Sequence, residues 1–584
     1  MVCRRRSSRT QRRSIAGAAA WFVLSMAAAA AAQTVSDASL DATTYVTGLS
    51  SPTTMAFVSS NDVLVLQKDD GKVIHVASRT PRPTPALDVA VNNESERGLL
   101  GIAVNTEDPP AVFLYYTAVD DPDGNGGPDT GTPLGNRVYR YTWNAATGRL
   151  ENGQLVLDLP VLSGPNHNGG VLLLGPTPTP GMATGGHVGD GSFLHVIIGD
   201  LNRNGQLQNA AGGAPPDDTG VILRVQQDGT PAAANPFVPY CSVTTAQTCP
   251  SGTGCPAGET CVDAVARYFA YGVRNSFGLT LDPLTGNLWD TENGPQFNDE
   301  VNLVLPGFNS GWTQLMGLDG RDPQGVADLF AMPGNASAYS DPEFSWLDTV
   351  APTAILFPVG STLGSAYDNV ALVGDNNFGQ IYRLPLTAPR TGFDLSAFTG
   401  LSDLVADSVT ERNRVRLGTG FGAIADLKIG PDGAVYVVSI SNGSIYRLTS
   451  KTPTSTPSAT ATPTRTPTIT PAVCALDVDG DGEASVATDV VYIARHRLGL
   501  VAVPPSFRVL DPTIPSDAII AANIDAIGDA LDVDMNSIVD VATDVVYIAR
   551  HHLGLVPVPP SFRVLDPSIP SDAVIAAAIA ALCP

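Results

Sequence analysis

The sequence predicts an all-β, six-bladed β-propeller followed by a small α-helical module. Three observations carry that expectation. Short strands rich in Val, Ile, Leu and Tyr, separated by Gly, Asp, Asn and Pro turns, run from residue 33 to about 450 with no helical period between them. Within that stretch a unit recurs: a turn, an apolar strand, Asp-Gly or Asn-Gly, a second apolar strand, then a strand ending in a basic residue. Residues 472–584 carry a different, duplicated pattern with helical character.

The first 32 residues read as an export signal. Arg4, Arg5, Arg6, Arg9, Arg12 and Arg13 form a basic region, Ile15 to Met26 is apolar and small, and Ala28 to Ala32 offers cleavage sites before Gln33. The apolar run is too short to favour a membrane anchor. The expected location is therefore secreted or periplasmic, with no membrane span after signal removal.

Residues 33–450 supply the propeller. Its units start near Leu49, Gly98, Gly169, Gly272, Ala351 and Gly422. In the last, Ala425 to Ile429 leads through Pro431-Asp432-Gly433 to Val435–Val438 and ends at Ile445-Tyr446-Arg447-Leu448. Sheets that bury their faces only against neighbouring sheets need a closed ring. Cys241, Cys249, Cys255 and Cys261 crowd into one Gly/Pro/Thr-rich insert, 241–261. In an exported chain they read as two disulfides with three pairings open; zinc is the lesser alternative, since no His lies in the cluster.

Residues 451–471 are almost only Thr, Pro, Ser and Ala and read as an extended linker. In residues 472–584 the segment Val486 to His496 matches Val541 to His551, an offset of 55 residues. A helix is expected after each acidic loop, capped by Thr488 or Asp489 in one copy and by Thr543 or Asp544 in the other. Cys474 and Cys583 bracket the module and could clasp its ends.

The formal net charge of −24 argues against nucleic acid as a partner and suits cation binding. In the module, Asp477, Asp479, Asp481 and Gly482 place oxygens at alternate positions before a Gly, as an EF-hand-like calcium loop does. Ser485 and Asp489 complete the first candidate Ca2+ set. Asp532, Asp534, Asn536, Asp540 and Asp544 form the second, with Ser537 in place of the turn Gly. This duplication resembles a dockerin, which implies a tethering partner of cohesin-like type.

The propeller carries a second resemblance. Glu96-Arg97-Gly98-Leu99-Leu100-Gly101, His167-Asn168-Gly169-Gly170 and Gly272-Val273-Arg274-Asn275-Ser276-Phe277-Gly278 resemble motifs of the soluble quinoprotein glucose/sorbosone dehydrogenases. So do Thr291-Glu292-Asn293-Gly294-Pro295 and Gly307 to Trp312. The resemblance implies a sugar dehydrogenase with pyrroloquinoline quinone (PQQ) and Ca2+ at the propeller mouth, a sugar substrate and an electron acceptor. It makes His167 the general base and Arg274 the stabiliser of the developing oxyanion. It places Glu96, Asn166, Asn275, Thr349 and Asn377 at the cofactor, with Trp346, Ala351 and Pro352 in the same stretch as Thr349. The carbonyls of Gly294 and Pro295 become Ca2+ ligands. Asp299 and Glu300 read as structural or solvated, with Ca2+ ligation the lesser alternative.

The sequence departs from that pattern at the last unit. Ala423-Ile424-Ala425-Asp426 stands where the family carries two Arg that grip the cofactor carboxylates. Asn377 replaces a Lys, and Asn166 an acid. Arg203, Lys428 and Arg412 are the candidate substitutes. The second expectation is therefore a non-catalytic extracellular propeller that binds carbohydrate or protein.

Overall fold

The computed structural model describes residues 33–451, except 176–192 and the loop positions 106, 122–123, 125, 129–130, 251, 322–324 and 335–337. Beyond the linker it describes 474–479, 485–497, 514–515, 517–534, 539, 541–552, 558 and 569–582. The expected export signal and linker lie outside the described residues. Contacts divide the chain into two units, Met1–Thr454 and Ser455–Pro584.

The first unit is an all-β propeller. Six sheets of four to six strands follow one another, and a separate two-stranded hairpin joins Tyr240–Cys241 to Cys261–Val262. One strand of each sheet contributes to an inner ring: Pro52–Phe57, Leu99–Val104, Leu172–Gly175, Ser276–Leu281, Pro352–Leu356 and Ile424–Ile429. Each touches the next, and the last touches the first. The sixth sheet is closed by the chain's beginning, because Leu40–Thr47 pairs antiparallel with Ser444–Ser450. That pairing joins residues some 400 positions apart in sequence, so the ring closes only when the final strand has been made.

Position within the ring explains the composition of the strands. Phe193–Ile198, Val221–Val225 and Leu288–Glu292 are buried along their whole length. A sheet packed on both faces has no solvent side, so its strands lose the polar alternation of a surface strand. Phe113 and Val138 of the second sheet share one cluster with Leu194, Val196 and Leu223 of the third. Each such fully buried side chain contributes about 1.5–3 kcal/mol.

The insert holds two disulfides, Cys241–Cys255 and Cys249–Cys261. The zinc alternative falls, because all four sulfurs are consumed in S–S bonds.

The second unit contains helices Val491–Arg497, Asp517–Ile527, Val546–His552 and Asp572–Leu582. The second and fourth also stand 55 residues apart, so the duplication extends past the matched motifs. Helix Val491–Arg497 packs on Asp517–Ile527 and on the turn Val541–Val545; Val546–His552 packs on Asp572–Leu582 and on Val486–Val490. Tyr492, Ile493, Tyr547 and Ile548 lie fully buried between the copies. Cys474 is disulfide-bonded, and the Ala475 amide donates to the Leu582 carbonyl at 2.7 Å; Cys583 lies outside the described residues.

The expected helix caps are corrected. In the first copy Ser485 is the cap: its hydroxyl accepts the Thr488 amide at 3.1 Å, and the opening turn Val486–Val490 is π-helical. Thr488 and Asp489 therefore lie inside the first turn. In the second copy Thr543 and Asp544 lie inside the equivalent turn, Val541–Val545. The physical reason is that Asp489 is needed elsewhere, folded back onto its own loop. Among the described residues no helix is long and apolar enough to cross a membrane.

Candidate active site and acidic loops

His167 sits in the loop that feeds the inner strand of the third sheet, at a left-handed φ of 62° and ahead of Gly169 and Gly170, also at positive φ. This coil aims the imidazole at Asp200, whose Oδ1 lies 2.6 Å from Nδ1. Asp200 is itself fixed: its Oδ1 accepts the Asn202 amide at 2.7 Å and its Oδ2 accepts Trp312 Nε1 at 2.6 Å. A carboxylate that accepts from Nδ1–H leaves Nε2 as the basic nitrogen.

Arg274 adjoins the pair. Its backbone carbonyl accepts the Asp200 amide at 2.8 Å, and its guanidinium lies over the Trp312 ring at 5.1 Å. Its Nη1 donates to the carbonyls of Asn293 and Gly294 at 2.7 and 3.1 Å. Its amide donates to Glu292, a fully buried carboxyl that also accepts the Ser310 hydroxyl at 2.6 Å and that burial pushes up to about 7. Burial pulls the Arg274 pKa down, and Asp200, Glu292 and Glu96 offset that pull.

Glu96 links two of the expected site residues. It accepts the His167 amide at 2.5 Å and Asn275 Nδ2 at 3.2 Å. It also lines a cavity of about 300 Å3 at the centre of the ring, with Thr54, Leu100, Leu172, Phe277, Thr353 and Ala425 from the six inner strands. Among the described residues, three polar atoms in this cluster are buried without a partner, Arg274 Nε, Asn275 Oδ1 and Asn293 Oδ1, and of these residues Asn293 lines the cavity. Buried polar groups are nearly always satisfied, so this trio marks a surface shaped for a ligand.

Gly294 is held by its amide, which donates to Asp299 Oδ1 at 2.8 Å. A Cβ there would lie 2.0 Å from the Phe297 carbonyl oxygen, so the close turn requires glycine. Asp299 also accepts the Val350 and Ala351 amides at 2.6 and 2.7 Å, pinning the fourth sheet to the fifth. Glu300 accepts the Gly317 amide and is pushed well above the carboxylate range by burial. Pro295 is half-buried beside Gly294.

Other expected positions fall differently. Asn166 accepts a hydrogen bond from Ser95 at 2.5 Å. Asn377 is exposed and donates to the Thr349 carbonyl at 3.2 Å; neither residue lines the cavity, whereas Ala351 and Asn376 do. Trp346 is fully buried against Phe344 and Tyr382, which removes it from any cofactor surface. Of the three candidate substitute cations, Arg203 pairs with Asp217 at 2.6 Å and Arg412 is buried over Phe378 at 4.0 Å. Lys428 does line the cavity, with its ammonium 3.2 Å from Asp426. Asp200 and Trp312 are neighbours of the candidate pair that the residue-level reading did not single out; Trp312 ends a quoted motif, but only the fold shows that it meets Asp200.

In the second unit, carboxylate oxygens of Asp477, Asp479 and Asp489 lie within 4.8 Å of one another, and so do those of Asp532, Asp534 and Asp544. Asp489 Oδ1 accepts the Val478 amide at 2.8 Å, and its Oδ2 accepts the Ser485 amide at 2.8 Å. Asp544 repeats the first contact with Val533 at 2.8 Å. Ser485 uses its hydroxyl as the helix cap. Asp481, Asn536 and Asp540 lie outside the described residues.

Comparison with known proteins then places the chain. The sequence profile of the family described as Glucose / Sorbosone dehydrogenase matches residues 49–247 and 250–447. Quinoprotein glucose dehydrogenase B of Acinetobacter calcoaceticus is 25% identical over 306 residues, 49% of this chain and 55% of that protein. Aldose sugar dehydrogenase YliI of Escherichia coli (strain K12) is 23% identical over 412 residues, 69% of this chain and 91% of that protein. The solved structure of the soluble aldose sugar dehydrogenase from Escherichia coli in the apo-form aligns with a TM-score of 0.50 at 19% identity, covering 70% of this chain and all of that one.

Proposed function

We propose that this chain, which belongs to the glucose/sorbosone dehydrogenase family, is an exported oxidoreductase that oxidises the anomeric hydroxyl of an aldose with PQQ and Ca2+. The observation that carries this reading is the His167–Asp200 pair beside Arg274, joined to the lining of the central cavity through Glu96 and Asn293. We read the six sheets as six blades, because each supplies one strand to the inner ring.

The reacting wall fits a quinone. Arg274 Nε offers an unsatisfied donor, and Asn275 Oδ1 and Asn293 Oδ1 offer unsatisfied acceptors. The carbonyls of Gly294 and Pro295 are hard oxygen ligands of the kind Ca2+ prefers, and the Gly294 oxygen keeps a lone pair beyond its bond from Arg274. When bound, the quinone would supply the hydride acceptor for oxidation of the sugar to its lactone. His167 Nε2 takes the anomeric hydroxyl proton. Asp200 holds the tautomer that leaves Nε2 basic and stabilises the imidazolium once formed. Arg274 offers its positive charge to the oxygen on which negative charge develops.

The opposite wall favours a second reading. Ala425 lines the cavity, and the Lys428 charge there is spent on Asp426, which also accepts the Thr54 hydroxyl at 2.5 Å. A propeller that binds carbohydrate or protein without turnover would need no carboxylate grip. Titrating the Ca2+-loaded chain with PQQ, then adding an aldose, separates the two. Saturable binding with bleaching of the quinone absorbance establishes the enzyme, and no binding at micromolar cofactor turns the reading to the binder.

The second unit serves, in this reading, as a dockerin-like tether. Its two Asp triads hold Ca2+, and a cohesin-like domain is its partner.

A further inference from the structure

A second pocket, of about 170 Å3, opens on the outer part of the fifth sheet and shares no lining residue with the central cavity. Three arginines line it: Arg383 from the strand Ile381–Pro385, Arg414 from the end of the short helix Val409–Arg414, and Arg416 from the strand Arg416–Thr419. We infer that this pocket binds a small oxyanion, such as phosphate, sulfate or the carboxylate of an acidic sugar.

The charge arrangement carries the inference. Asp37 is the one acid in the lining, and both of its oxygens are committed. Its Oδ1 accepts the Ser39 amide and hydroxyl at 2.9 and 2.6 Å, and its Oδ2 accepts the Tyr367 hydroxyl at 2.8 Å. The arginines meet neutral groups instead. Arg383 Nη2 donates to the Ala366 carbonyl at 3.0 Å, with its guanidinium 5.0 Å above the Tyr367 ring. Arg416 Nη1 donates to Asn413 Oδ1 at 2.9 Å. Arg383 Nε is buried with no partner.

Elsewhere in the same unit Arg149, Arg224 and Arg274 also donate to neutral acceptors, whereas a larger group is ion-paired. Arg97, Arg137, Arg203, Arg267, Arg321, Arg390 and Arg447 bind carboxylates directly. In a chain with 57 acidic residues against 33 basic ones, guanidinium groups find carboxylates easily. Three that line a concave site with the single carboxylate of Asp37 leave an excess of positive charge there. The planar guanidinium fork matches oxygens held on one phosphorus, sulfur or carbon. Such a ligand would also give the buried Nε the acceptor it lacks.

Isothermal titration of the full chain with sodium phosphate, sodium sulfate and sodium glucuronate, at constant ionic strength in chloride, tests the site. Saturable one-site binding of at least one probe is expected, weakened about ten-fold or more by Arg414→Gln and again by Arg383→Gln. Arg414 is exposed, so its variant keeps the test open should Arg383→Gln misfold. The probe that binds most tightly distinguishes an inorganic anion from an acidic sugar. Absence of saturable heat with all three probes, or equal affinity in the variants, overturns the inference. Neither result depends on whether the central cavity takes a quinone.

Discussion

The propeller and the C-terminal unit treat their buried carboxylates in opposite ways. In the propeller, Asp282 is fully buried and receives Arg390 through Nε and Nη2 at 2.6 and 2.8 Å. Asp299 receives three amides, and Asp200 an imidazole, an indole and an amide. In the C-terminal unit, three aspartates gather within 4.8 Å, twice over. Asp489 is fully buried, and burial raises its pKa. Hydrogen bonds from Ser485, Val478, Asp479 and Thr488 work against that rise. The propeller thus meets each of these carboxylates with donors of its own chain, whereas the smaller unit gathers its aspartates into triads, which on the proposed reading hold Ca2+.

The largest test removes the base. On the proposed reaction, His167→Ala lowers sugar turnover by about 10²–10⁴-fold while leaving the response of the C-terminal unit to chelator unchanged. Turnover that survives the substitution would break the assignment.

Arg390→Ala sharpens the comparison from the propeller side. It leaves Asp282 buried and uncompensated, and such losses cost about 3–5 kcal/mol. Urea unfolding should show that loss in the propeller transition and no change in the other.

Chelation tests the second unit. Removing Ca2+ from the full chain should lower the melting of the helical circular dichroism signal, by about 2.7 kcal/mol of stability relative to a hundred-fold excess over the dissociation constant. Asp489→Ala combined with Asp544→Ala should reproduce it with Ca2+ present. A helical signal indifferent to both would end the contrast drawn above.

The smallest effect is one of pH. The Glu343 carboxylate accepts the Leu303 amide at 2.5 Å, and burial pushes it from its ordinary value near 4.5 up to about 7. The folded chain therefore holds this proton where the unfolded chain has released it. Its contribution, of the order of 1 kcal/mol, is full below about pH 4.5 and is lost as pH rises through about 7. Glu343→Gln should flatten the fall in stability between those values.

Much of the site was legible because its residues stand in short, dense motifs. The motifs put His167 and Arg274 in the text as candidates, and the fold brings both into one hydrogen-bonded cluster with Asp200 and Glu292, while the acidic triads could be read from alternate spacing within one loop. Thr349 and Asn377 were harder to place. They lie in loops next to Ala351 and Asn376, and of these four only Ala351 and Asn376 line the cavity. Trp346 was misread because an aromatic in a strand is equally suited to a core between two sheets, which is where it lies.

The sequence by itself determined the β character of residues 33–450, the helical duplication, the cysteine-rich insert and the motifs that carry His167 and Arg274. These are local properties, set by side-chain period, turn chemistry and spacing along a short stretch. Tertiary structure alone decided the pairing of the four insert cysteines, the meeting of His167 with Asp200 and Trp312, and the closing of Leu40–Thr47 onto Ser444–Ser450. Each of these joins positions that do not neighbour one another in sequence. Their contacts form only when packing in the closed ring or the insert selects one arrangement among many with the same local preferences.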